Sequence, residues 1–420
     1  MTSKTQKEKP QIITFGCRLN RYESEVMSQH AEQLDNVVIV NTCAVTAEAE
    51  RQAKQAIRRL HRKDGEKRII VTGCAAQINP EQWSSLPGVK QILGNEDKLK
   101  GENWTEAALS QGNQVSDIMT VKNTVGRIVT DFTGRTRAFV QIQQGCDHRC
   151  TFCVIPFGRG PSRSVSVKGV VDQVKALTQQ QYNEIVLTGV DIASWGRDLK
   201  HKGRLGDLCK AILKDVPELK RLRLSSIDPI GMDPVLWDLM ASESRFMPHL
   251  HLSLQAGSDM ILKRMKRRHQ TKDVGSLVEQ LRSIRPDIGL SADIIAGFPT
   301  EDESYFQETY DFLKTVAIPY LHVFPYSERK GTPAAQMPAV AVSVRKERAA
   351  RLRNLGAKIA SSYHECFVNK TVSILMETVD RGHSEQFSAA TLTGKEATPG
   401  EIISARVISG NSDGIIVERI

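Results

Sequence analysis

No run of apolar residues approaches the roughly 18 needed to cross a bilayer, and mean hydropathy is -0.31, so no transmembrane helix is expected. The first ten residues, from Met1 to Pro10, have no apolar core, which argues against a secretory signal and for a cytoplasmic protein. Aromatic residues make up only 5% of the chain, too few for the interleaving of aromatic and basic side chains that would map a nucleic-acid surface. Glycine (29) and proline (16) are not in excess, which excludes a low-complexity chain. What remains is 420 ordinary residues, enough for two or three domains with their own cores and no need of disulfides.

A fourth cysteine is missing where one would look for it. Cys146, Cys150 and Cys153 lie within eight residues, in Gly-Cys-Asp-His-Arg-Cys-Thr-Phe-Cys. Eight cysteines in a reducing compartment point to metal or redox chemistry rather than to a disulfide framework. Thiolates are soft ligands that suit a metal or an iron–sulfur centre. A structural zinc site wants four ligands, whereas a [4Fe–4S] cluster held by three thiolates leaves one iron open for chemistry.

Three more cysteines share a different pattern. Cys17, Cys43 and Cys74 each follow a short predicted strand, at 11–15, 37–41 and 68–72, with helices expected over 20–34 and 47–62. That is the plan of a small α/β domain with a site at the carboxyl edge of its sheet. A single cysteine there reads as buried core; three at equivalent places point to a second three-thiolate cluster. Cys209 and Cys366 read as structural.

From 96 to 135 the chain is more polar, with weak strand signals at 114–119 and 126–130. Strand and helix then alternate. Strands are expected at 137–143, 184–188, 221–225, 249–254, 289–295 and 320–326, with helices over 166–180, 205–213, 234–240, 271–283 and 304–316. Such alternation builds a closed or partly closed parallel (β/α) barrel with functional residues at the carboxyl ends of its strands. Gly189, Ser225, Gln255, Asp293 and Tyr326 are expected there. A helix over 344–361 carries Arg345, Lys346, Arg348, Arg351, Arg353 and Lys358 against one acid, Glu347; it reads as a solvated face or as a phosphate-facing surface. The last 55 residues alternate and are β-rich, as in a small β-barrel. The net charge of +9 is compatible with a nucleic-acid partner, yet residues 366–420 carry net -2, which weakens the case for electrostatic grip by that module alone.

The two cysteine sets, in this order, resemble the radical S-adenosylmethionine (SAM) methylthiotransferases over essentially all 420 residues. Further stretches agree: Arg159-Gly-Pro-Ser-Arg163-Ser164, Leu187-Thr-Gly189-Val-Asp191, His251-Leu-Ser-Leu-Gln255, and Asp293-Ile-Ile-Ala-Gly297-Phe-Pro299. The resemblance implies an α/β chain of three parts. These are a small α/β amino-terminal domain (1–130) with an auxiliary [4Fe–4S] cluster, a radical-SAM partial barrel (131–360), and a TRAM-like β-barrel (361–420). Two [4Fe–4S] clusters and SAM are the implied cofactors, with Cys146, Cys150 and Cys153 holding the cluster that cleaves SAM reductively and Cys17, Cys43 and Cys74 holding the other. The surroundings of Cys17 and Cys43, and Gly331-Thr-Pro-Ala-Ala335, look most like the branch acting on N6-threonylcarbamoyladenosine at position 37 of tRNA.

On that resemblance Phe152, Gly189, Ser253, Gln255, Arg264 and Asp293 are candidates to contact SAM. Ser253 and Gln255 should share a strand face because side chains alternate, and Gly189 would permit close backbone approach. Arg18, Asn20 and Glu23, which flank Cys17, are candidates for substrate selection. The implied partners are the tRNA anticodon stem-loop, an electron donor such as flavodoxin or ferredoxin, and a sulfur donor; a monomer away from membranes is expected. Two alternatives stand beside this reading: a methylthiotransferase for N6-isopentenyladenosine, and a non-catalytic, metal-containing RNA-binding protein.

Overall fold

The computed structural model describes residues 10–124 and 136–420. The chain divides into two compact units, one of Met1–Val129, Gln144–Arg149 and Cys153–Arg163, the other of Thr130–Gln143, Cys150–Phe152 and Ser164–Ile420. The first thus extends beyond the expected domain at 1–130 by taking in Cys146, Cys153 and the loop that follows, and the second keeps the carboxyl-terminal barrel with the central strands.

The first unit is built on four parallel strands, Gln11–Thr14, Val37–Thr42, Arg68–Gly73 and Val89–Leu93, paired in chain order. Val38, Val40, Ile69 and Val71 pack on one face with Ile57 and Trp83; Val37, Ile39 and Ile70 pack on the other with Met27, Leu34 and Trp104. Both faces are covered, so the strands read as continuous β-branched runs. Helix Ala47–Lys63 starts at Thr46, whose hydroxyl accepts from Ala49 N at 3.2 Å, with Glu48 and Glu50 in its first turn and His61, Arg62 and Lys63 in its last. The strand Val89–Leu93 was not expected from the sequence. The weak signal at 114–119 is not a strand: Gln114 makes a single bridge to Leu93, and Ile118–Thr120 is a 3-10 turn. The signal at 126–130 lies outside the described residues.

In the second unit the parallel strands Arg137–Gln141, Glu184–Thr188 and Arg221–Leu224 form one sheet. Ser226–Ile227, His249–Gln255, Gly289–Ala296 and Tyr320–Pro325 form the next, also parallel. Ser225 interrupts what is otherwise one strand and passes the order from the first sheet to the second, giving the partial barrel expected. Helices Val167–Gln179, Leu205–Asp215, Pro234–Ser242, Thr271–Ile284 and Glu303–Val316 fall within a few residues of the predicted spans. Asp293 is corrected: it sits in the middle of Gly289–Ala296, not at its end. Ser253 and Gln255 lie with His251 on the half-buried side of His249–Gln255, while Leu250, Leu252 and Leu254 are buried; the pairing register slips between Leu252 and Gln255, and Gln255 adopts φ 76°.

Residues 371–419 form a closed five-stranded barrel around Val372, Ile374, Ile403, Val407 and Val417. At the amino-terminal ends of the central strands, buried Glu184 meets Arg223 at 2.8 Å, Arg137 at 3.4 Å and Arg221 at 3.5 Å. The same arginines reach the small barrel, Arg221 to Ser373 Oγ at 2.7 Å, Arg223 to Glu385 O at 2.9 Å and Arg137 to Glu377 at 2.8 Å.

Candidate metal centres

In the first unit, backbone geometry gathers the three distant cysteines. Gly16, at φ +97°, lies so close to Cys43 that a Cβ there would stand 2.7 Å from its Sγ. Gly73, also at φ +97°, would place a Cβ 2.2 Å from Thr42 O. Glycine is therefore required just before Cys17 and just before Cys74. Side chains complete the clamp. Asn20 Nδ2 donates to Phe15 O at 2.7 Å and to Thr42 O at 3.0 Å, tying the first loop to the second. Thr42 Oγ1 donates to Thr72 O at 2.6 Å and accepts from Ala76 N at 3.2 Å, tying the second to the third.

Cys43 and Cys74 are buried and Cys17 is exposed. Burial, reinforced by neighbouring Cys74, pushes the Cys43 thiol up to about 12 in the metal-free chain; a coordinating metal removes such a proton outright. Arg159 Nε donates to Cys74 Sγ at 3.0 Å and Asn95 Nδ2 to the same sulfur at 3.7 Å. Soft sulfur donors at one sheet edge, with N–H groups aimed at sulfur, suit a thiolate-held iron–sulfur cluster.

Beneath the thiols lies a buried charged network. Arg159 pairs with Glu23 and hydrogen-bonds Asn20 Oδ1, and Lys98 Nζ lies 2.7 Å from Glu23. Burial would raise the Glu23 carboxyl, yet Arg159 and Lys98 hold it below its ordinary range. Asn20 and Glu23 are 1% and 0% exposed, turned toward Arg159 and Lys98. Arg18 is half-buried in the first turn of Arg18–His30. Cys146 N donates to Gly160 O at 3.0 Å, and Cys153 precedes Val154, a member of the core that includes Cys74.

In the second unit, Cys150 Sγ accepts from Arg267 Nη1 at 3.6 Å. Arg267 Nη2 is anchored on Asp228 at 2.9 Å and Ser253 O at 2.7 Å. Phe152 packs edge-on against Phe298, 6.3 Å between centroids, beside Ala256, Ile261, Leu262 and Met265. Gly189 does allow a close approach, but to the chain itself: a Cβ would stand 2.8 Å from Gln143 O, and Gln143 Oε1 accepts from Val190 N and Asp191 N at 2.9 and 2.8 Å. Arg264 donates to Thr300 O at 3.0 Å and stacks over Tyr305 at 5.1 Å. Asp293 lies 3.2 Å from His251, which stacks on His322. Arg159, Lys98, Asn95 and Arg267 were missed as individual roles. The run 263–268 and the loop 159–164 were visible, but which member turns toward sulfur is a matter of tertiary packing.

The Radical SAM superfamily matches residues 140–313, and Uncharacterized protein family UPF0004 matches residues 9–94. The chain is 46% identical over 400 residues to the threonylcarbamoyladenosine tRNA methylthiotransferase MtaB of Rickettsia prowazekii, covering 95% of this chain and 94% of that protein. It is 33% identical to the MtaB of Bacillus subtilis (94% and 92% covered) and 32% identical to the tRNA-2-methylthio-N(6)-dimethylallyladenosine synthase of Agrobacterium fabrum (97% and 96%). Among solved structures, the radical SAM methyltransferase TsrM of Kitasatospora setae is similar with a TM-score of 0.54 at 17% identity, over 76% of this chain and 67% of that one. The chain belongs to the radical SAM methylthiotransferase family.

Proposed function

We propose that this protein transfers a methylthio group to C2 of N6-threonylcarbamoyladenosine at position 37 of tRNA, with SAM as methyl donor and radical source. The observation that carries the substrate is the 46% identity to the Rickettsia relative over nearly the whole of both chains. Identities of 33% to another threonylcarbamoyladenosine enzyme and 32% to a dimethylallyladenosine synthase do not separate the two branches.

Cys146, Cys150 and Cys153 would hold the cluster that binds and cleaves SAM, and Cys17, Cys43 and Cys74 the auxiliary one. When bound, these groups supply the one-electron chemistry that an unactivated aromatic C–H requires. The chain's own residues do the rest. Arg267 presents an N–H to Cys150 sulfur from an anchored position. Phe152, in its apolar surroundings, shields that loop from water. The half-exposed Arg18 is the candidate among the three residues beyond Cys17 that can still meet RNA. A flavodoxin- or ferredoxin-like electron donor and a sulfur donor complete the system. The protein acts as a cytoplasmic monomer; among the described residues no helix is long and apolar enough to cross a membrane.

The test is anaerobic reconstitution, iron counting, and incubation with SAM, reductant and tRNA carrying either modified adenosine, followed by nucleoside mass spectrometry. About eight irons per chain, and a CH2S mass gain on threonylcarbamoyladenosine alone, is expected. A gain on isopentenyladenosine instead would move the protein to the other branch. Bound zinc and no iron would leave an RNA-binding protein without radical chemistry.

A further inference from the structure

We infer that Arg159 is a positioning residue for the auxiliary cluster, setting the reduction potential of the centre at Cys74. The inference rests on the reading of Cys17, Cys43 and Cys74 as cluster ligands.

Arg159 is 2% exposed, Lys98 0% and Glu23 0%. Two buried basic side chains thus share one buried carboxylate. The remaining partners of the pair are neutral: Asn20 and Gln144 for Arg159, and Asn41, whose Oδ1 lies 3.3 Å from Lys98. Burial pushes Lys98 toward its neutral form, while the Arg159 guanidinium stays charged. The group that receives its N–H is Cys74 Sγ, at 3.0 Å from Arg159 Nε. A cluster-bound sulfur there would receive this N–H as a charge-assisted hydrogen bond.

The guanidinium is fixed from all sides. Glu23 grips it with both oxygens, the second at 3.0 Å. Gln144, next but one before Cys146, donates to the same Glu23 at 2.8 Å. Arg163 Nη1 donates to Arg159 O at 3.1 Å and to Pro161 O at 2.8 Å, fastening the loop. The backbone of Cys146 is held by Gly160 O, the residue after Arg159. One side chain therefore meets the sulfur of one cysteine set while its neighbour carries the backbone of the other. An N–H donated to a cluster thiolate stabilises the more negative, reduced state and raises the potential.

The test uses the full chain carrying Cys146→Ala, Cys150→Ala and Cys153→Ala, so that only the auxiliary site can load, with Arg159→Gln and Arg159→Lys added in turn. Iron content, circular dichroism, the cluster's electron paramagnetic resonance spectrum and its midpoint potential are read. The expected result is a folded chain whose potential moves to more negative values in Arg159→Gln and recovers in part in Arg159→Lys. Loss of iron from a variant whose fold and melting are unchanged also supports the role, since a merely structural arginine would show in the melting. Should Arg159→Gln not fold, Arg159→Lys decides alone: a shifted potential supports the inference. A potential and spectrum identical to the parent's in any folded, loaded Arg159 variant overturns it. If the parent takes up no iron at all, the reading of the three cysteines fails instead, a result separate from either.

Discussion

Gly73 illustrates how a residue without a side chain shapes the edge of the sheet that Cys74 follows. Its φ of +97° and the Thr42 carbonyl 2.2 Å from where a Cβ would lie leave no room for alanine. Gly73→Ala is expected to cost of order 2 kcal/mol or more in stability and to lower reconstituted iron from about eight to about four per chain; iron analysis and a melting curve check both. The cysteines were legible in the sequence because thiols after successive strands form a pattern that survives without coordinates. Asn20 and Glu23 stood out for their place beside Cys17, and the sequence did not show their partner Arg159. Proximity in sequence to Cys17 cannot tell a side chain that faces RNA from one turned inward onto Arg159, 136 residues beyond Glu23. Arg267 escaped for the same reason: in a run of six mostly basic residues, only packing decides which guanidinium reaches Cys150.

The helix Val342–Glu365 makes the same point for an element. Its basic character reads as a solvated face or a phosphate-binding stripe, and it is mostly neither. Arg345 donates to Val340 O and Tyr326 O, Arg348 pairs with Glu301 and Glu303, Arg351 with Glu303, and Arg353 donates to Val323 O. Arg345 and Arg348 hold the helix from buried positions, and Lys346, Arg353 and Lys358 are exposed. Glu301 is the sensitive partner. Burial pushes its carboxyl up to about 7, against the Gly297 amide and Arg348, which favour its charged form. A carboxyl ordinarily near 4.5 that keeps its proton in the fold to about 7 stabilises most fully below 4.5, and that contribution is lost as pH rises through 7. Denaturant unfolding of the metal-free chain should therefore weaken between pH 5 and 8, by up to about 3 kcal/mol. Glu301→Gln, which keeps an acceptor for Gly297, should flatten that dependence; an unchanged slope would assign it to other groups. Helix and strand spans themselves were legible to within a few residues because apolar periodicity sets them. The strand Val89–Leu93 was not, since a five-residue run after a proline and a glycine carries too short a pattern.

At the scale of the whole molecule, the net charge of +9 is less available than it looks. Three arginines converge on Glu184 and continue into the carboxyl-terminal barrel, so part of the basic excess serves as internal fastening. Arg223, foremost among them, holds the Glu184 carboxyl down to about 2 against burial, so it remains ionised throughout the working pH range. Glu184→Ala leaves buried guanidinium groups without their carboxylate and should cost about 3–5 kcal/mol. Calorimetry of the metal-free chain would detect this as a lower melting temperature, with earlier proteolysis within residues 371–419. The barrel and the small terminal module were legible from strand rhythm. Their joint was not, because it is made by residues that, one at a time, look like ordinary surface charges.

The exposure of Cys17 beside two buried partners has a bearing on life in air. Thiolates and the metals they hold are attacked where solvent reaches them. If the three thiols hold a cluster, Cys17 is where dioxygen or peroxide would reach it, since Cys43 and Cys74 are buried. Oxidative loss of iron would then begin at that corner.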